Sequence, residues 1–120
     1  MTSVRLVSEE SLADVQASIS NLLPADFAGT AKTIADADAN KGTLYTSDDT
    51  VTVTLPASGV AVGHVSVHVR RGAGDVVFVA ASGAVIEPYP ENADRIEGVG
   101  ATATLWQSAA GVWHLSGQII

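Results

Sequence analysis

Two groups of side chains in this sequence are of the types that ligate metals, and their spacing decides whether they do. Asp36-x-Asp38-x-Asn40 matches the opening of a calcium loop, where alternate side-chain oxygens face the ion. Such a loop needs glycine at its sixth place and a bidentate glutamate at its twelfth. Here those places hold Lys41 and Ser47, and glycine comes one residue late at Gly42. A lysine ammonium inside the loop repels a cation, so residues 36–42 read as a turn held by its own hydrogen bonds. His64 and His68 share one strand face two alternations apart, which separates their Cβ atoms by about 13 Å. Zinc takes three or four ligands at about 2 Å, so this pair does not hold one ion directly. His114 joins either one only through cross-strand pairing that the sequence does not fix. The histidines are expected at an exposed face or an interface, and copies of one histidine meeting on a symmetry axis are the remaining route to a metal.

Catalytic arrangements fare less well. Ser58-Gly, Ser82-Gly and Ser116-Gly are turn or strand-end pairs and lack the G-x-S-x-G elbow. Gly72-Ala-Gly74 lacks the last glycine and the following helix of a dinucleotide fingerprint, and reads as a tight hairpin turn between two strong strands. Glu87, Glu91, Asp94 and Glu97 surround Pro88-Tyr-Pro90. Paired carboxylates can cleave a glycoside, but this stretch reads as a solvated loop. Trp106 and Trp113 flank Ala109-Ala-Gly111 and are placed to face each other across a hairpin, as core residues or as a sugar-stacking pair. No catalytic residue and no cofactor is expected.

The 120 residues support one domain with a short appendage. Hydrophobic residues make up 47% and charged residues 16%, a low charge content that suggests a surface covered by a neighbour. The net charge of −7 argues against nucleic acid and against an anionic membrane surface as partners. There is no cysteine, so disulfides and thiolate metal sites are excluded. Met1-Thr-Ser-Val-Arg does not open like a secretion signal, so synthesis in the cytosol as a soluble protein is expected.

These side chains are carried mainly on short strands. Thr50–Leu55 and His64–Arg70 alternate strictly, which places valines on one face, expected to be buried, and threonine, serine and histidine on the other, expected to be wet. Strands are predicted at 43–46, 50–55, 64–71, 75–81, 84–87, 101–108 and 112–118, with a possible short strand at 32–35. Glycines fall between them, and Pro56, Pro88 and Pro90 lie outside the alternating runs. The fold class is therefore mainly β, an antiparallel β-sandwich or barrel of about seven to eight short strands. Ahead of it, Ser8 is a candidate N-cap, and Leu12, Val15, Ile19 and Leu22 recur at spacings of three, four and three. Residues 9–23 are predicted to be an amphipathic helix closed by Pro24, with residues 24–31 as a connector. The organisation is thus 1–30, a helical arm, and 31–120, the β-domain.

Val76-Val-Phe-Val-Ala80 is apolar at every position, so both faces of that strand need cover. Phe78 is assigned to the core. Val77 and Val79 are assigned to an assembly interface with Leu12, Val15, Ile19 and Leu22.

Asn40-Lys-Gly-Thr, the Thr/Val strand ending in Leu55-Pro56, Val62-Gly63 and Gly72-Ala-Gly-Asp-Val-Val-Phe-Val-Ala80 resemble small β-domains of tailed-bacteriophage virion proteins. So does the ending Ala103-Thr-Leu-Trp-Gln-Ser with Gly111-Val-Trp-His-Leu-Ser-Gly117. The resemblance covers roughly residues 38–118. It implies a non-enzymatic structural protein of the virion: a capsid decoration (cement) protein bound to the major capsid protein as a symmetric oligomer, most readily a trimer. The alternative is a receptor- or glycan-binding module of a head or tail fibre, using the face of His64, Ser66, His68 and Arg70 or the Tyr89 loop.

Overall fold

The computed structural model describes residues 22–120. These residues are almost wholly strand and turn, as the alternation requires. Nine strands occur among them: β1 (Leu23–Phe27), β2 (Ala31–Thr33), β3 (Lys41–Tyr45), β4 (Val51–Leu55), β5 (Val65–Arg70), β6 (Val76–Ala80), β7 (Val85–Tyr89), β8 (Thr102–Ala109) and β9 (Val112–Gly117). One 3-10 turn covers Asp36–Asp38.

The pairing differs from the antiparallel arrangement expected. The chain alternates between two sheets. β1, β3 and β5 run side by side and parallel in one sheet, and β2, β4 and β6 do the same in the other. Each β1–β2, β3–β4 or β5–β6 pair is one coil, and successive coils stack as in a solenoid. Among the described strand pairs only β5–β8 and β8–β9 are antiparallel, with isolated antiparallel bridges at Val77–Arg95 and Ile96–Ile119. Period-two alternation fixes which side chains share a face but not the direction of the neighbouring strand. Here the links after β1, β3 and β5 carry the chain across to the other sheet instead of folding it back. β7 returns to the larger sheet parallel to β9, and the C-terminal hairpin β8–β9 fills the space between β5 and β7.

Gly72-Ala-Gly74 is accordingly a corner between sheets, not a hairpin. A Cβ on Gly72 would lie 2.1 Å from the Ser47 carbonyl oxygen, and one on Gly74 1.9 Å from that of Asp49. The corner of the third coil sits directly on the corner of the second, and only glycine allows that approach. Arg70 ties the corner together by donating to the Gly72 and Ala73 carbonyls and to Asp75.

The core lies between the sheets. Val51, Val53, Leu55, Val76 and Phe78 face inward from the smaller sheet, and Tyr45, Ala103, Leu105, Trp113 and Leu115 from the larger. Phe78 is in the core as expected, while Val77 is half-buried and Val79 is exposed on the outer face. The predicted helix over 9–23 lies outside the described residues except for its last two, and so do Leu12, Val15 and Ile19. Leu22 is exposed in the single chain rather than buried, and Leu23 begins β1. Residues 24–27, read as part of a connector, belong to β1. Pro24 is tolerated there, and Pro88 in β7, because both are edge strands that need not donate a ladder bond on both sides.

Candidate functional site

The largest departure from the sequence reading lies in β5. His64, Ser66 and His68 face the interior and are buried, while Val65 is exposed and Val67 and Val69 are half-buried on the outer face. In β4 the valines do point inward. A shift of one residue exchanges the two faces of a strand, and alternation alone does not say which face is inside.

The inward side chains of β5 and of His64 just ahead of it form a continuous hydrogen-bonded strip. His64 Nε2 lies 2.9 Å from Ser66 Oγ, which lies 2.8 Å from His68 Nε2. His68 Nδ1 lies 2.8 Å from the Tyr45 hydroxyl on β3. Aromatic rings enclose the strip. Tyr45 stacks on His68, Phe78 meets His68 edge-on across the core, and Trp113 meets His64 edge-on. Burial lowers the His68 pKa to about 3, against the pull of the Asp38 carboxylate. Burial lowers that of His64 as well, with Asp38 and Asp36 opposing, and burial together with Asp38 pushes the Tyr45 phenol upward.

A neutral His68 has one N–H, which fixes the direction of the strip. If Tyr45 donates to Nδ1, His68 donates from Nε2 to Ser66, and Ser66 donates to His64 Nε2. The atom left over is His64 Nδ1, which has no partner among the described residues. The reverse direction would also leave the Tyr45 hydroxyl proton without an acceptor, so the first arrangement is favoured. Ser66 thus sits between two imidazoles, but it is fully buried, and no substrate reaches it while the sheets are packed. The strip is a device for filling the interior with satisfied polar groups. Gln107 serves the same end. Its amide donates to the Val60 and Ala61 carbonyls and accepts from the Gly111 amide, pinning the hairpin turn to the loop after β4.

Asp36 and Asp38 are used within the fold. Asp36 accepts from the Ala61 amide, and Asp38 accepts from the Ala35 amide and pairs with Lys32 at 2.9 Å. Burial alone would raise the Asp38 pKa, but the hydrogen bonds from Lys32 and the Ala35 amide outweigh it and hold the carboxyl below its usual range. The segment is the hydrogen-bonded turn expected. Lys32 Nζ also lies over the Phe27 ring at 5.1 Å, closing this end of the core. The acidic stretch is dispersed: Glu87 is on β7, and Asp94 pairs with Arg95.

The two tryptophans do not face each other. Trp113 is buried and donates from Nε1 to the Pro56 carbonyl, while Trp106 is 46% exposed on the opposite face. Register places Trp106 opposite His114, and their rings stand 5.1 Å apart at 33°. Ser108 Oγ lies 2.7 Å from His114 Nε2, and Glu87 Oε1 lies 3.7 Å from His114 Nδ1. Serine, histidine and carboxylate are thus in the order of a nucleophile, base and orienting acid. The last distance is too long for a hydrogen bond, so Glu87 does not fix the imidazole as such chemistry requires. Ser108 and Glu87 were not linked to His114 by spacing alone. Counting outward from the Ala109-Ala-Gly111 turn would have brought Ser108 close to His114. The partnership of β7 with β9 carries no such local signal. Tyr45 and Gln107 were missed for the same reason, since their partners are 23 and 46–47 residues away.

No family model, curated protein or solved structure matches the chain.

Proposed function

We propose that the chain is a non-enzymatic structural protein of a bacteriophage virion, a capsid decoration protein that binds the major capsid protein on the outer shell as a symmetric oligomer, most readily a trimer. The resemblance over residues 38–118 points to the virion. The observation that carries the assembly reading is the open end of the stack. β1 and β2 are the outermost strands of their sheets at the same end, without a further hydrogen-bonded neighbour among the described residues. Leu22 and Leu23 are exposed beside that edge. An unpaired edge flanked by leucines is a template for another chain and a liability if left bare. The low charge content agrees with a surface covered in the assembled particle.

Light scattering on the purified protein, followed by co-sedimentation with capsid shells, tests the reading. A trimeric mass and saturable sedimentation with the shells are expected. A monomer that remains in the supernatant contradicts it.

A further inference from the structure

The outer face of the larger sheet carries a second surface, independent of the open edge and of the assembly reading. Strand register sets its layout. Trp106, His114 and Glu87 form one row across β8, β9 and β7, and Thr104, Ser116 and Tyr89 form the next. Trp106 is 46% exposed and Tyr89 is 78% exposed. Two strand spacings and one two-residue step separate their Cβ atoms by about 12 Å. Between them lie the exposed hydroxyls of Thr104 and Ser116, the half-exposed His114 imidazole and the exposed Glu87 carboxylate.

We propose that this face binds a neutral oligosaccharide, with Trp106 and Tyr89 contacting sugar C–H faces and the side chains between them hydrogen-bonding to sugar hydroxyls. Three observations select this ligand. A protein contact is expected to have a dry, apolar centre, whereas the floor between these aromatics is made of hydroxyls, an imidazole and a carboxylate. Aromatic rings beside such groups match a ligand that is apolar on one side and hydroxylated at its rim. The two rows hold no lysine or arginine, they include Glu87, and the chain carries −7 overall, all of which disfavours anionic sugars. The site is also held ready before binding. Its side chains stand on paired strands, and Ser108 and Trp106 hold the His114 ring, so little ordering remains to oppose binding.

The test uses the full chain and soluble cello-, chito-, malto- and manno-oligosaccharides, with sialylated and sulfated oligosaccharides for comparison. Indole fluorescence and saturation-transfer NMR are the readouts. Trp113 is buried, so a saturable change in emission reports Trp106. At least one neutral series is expected to bind. Trp106→Ala should weaken that binding about tenfold or more, and Tyr89→Ala should weaken it several-fold, with cooperative thermal unfolding retained in both. Both side chains lie on the outer face, so their removal leaves the core intact. The proposal is overturned if no neutral series binds, if binding survives both substitutions unaltered, or if only the anionic sugars bind.

Discussion

Tyr45, His68, Ser66 and His64 convert a polar strand face into part of the core, and this has a consequence in acid. Well above about pH 6.5, His64 and His68 are neutral in both the folded and the unfolded chain. Below it the unfolded chain takes up a proton that His68, with its pKa lowered to about 3, refuses. Stability should therefore fall by about 1.4 kcal/mol per pH unit between about pH 6 and the folded pKa, with His64 adding in the same direction. Urea midpoints measured from about pH 7.5 to about pH 4.5 check this, and His68→Phe should flatten the slope. A midpoint constant across that range would mean that the rings are not buried and neutral. Removing one link is costly in another way. Ser66→Ala strands a nitrogen on each histidine, and a loss of about 1–3 kcal/mol is expected in equilibrium unfolding. The alternation of His64–Arg70 was legible in the sequence, but its inward face was not. The hydrogen-bond partner that makes burial tolerable, Tyr45, lies 23 residues away on another strand.

At the scale of elements, strand positions were readable and strand partners were not. Alternation and glycine spacing located seven strands from β3 to β9 to within about two residues, because both signals are local. β1 escaped because Leu22-Leu23-Pro24 looks like the end of a helix, and only its place at a sheet edge makes proline acceptable there. Parallel stacking escaped because it depends on how corners pass over one another. Gly72 and Gly74 are the residues that permit this, and they give a sharp contrast. Gly74→Ala would press a methyl group into the Asp49 carbonyl, and a loss of about 3 kcal/mol or failure to fold is expected. At Gly42, in β3, a Cβ would meet nothing within 4 Å, so Gly42→Ala should be neutral or slightly stabilising. Thermal unfolding of the two variants distinguishes a stacked corner from an ordinary turn. On the inner face of β6, Phe78→Ala should cost about 3–5 kcal/mol. On its outer face, Val79→Lys should leave the melting temperature unchanged and weaken assembly if that face is covered in the particle.

At the scale of the molecule, the stacked coils present two different surfaces. The end with β1 and β2, unpaired among the described residues, is the surface proposed for protein assembly, and the outer face with Trp106 and Tyr89 is the one proposed for a small polar ligand. The two proposals are separable, since neither surface uses the residues of the other. Ile19→Asp addresses the segment ahead of β1. If that segment serves assembly, the variant should lose oligomer and capsid binding while the β-domain still unfolds cooperatively. The most direct test of the assembly account is the mass of the purified protein by light scattering, alone and with intact capsid shells. Three times the chain mass in solution and saturable binding to the shell are expected. A monomer that ignores the shell at every concentration tried would contradict it.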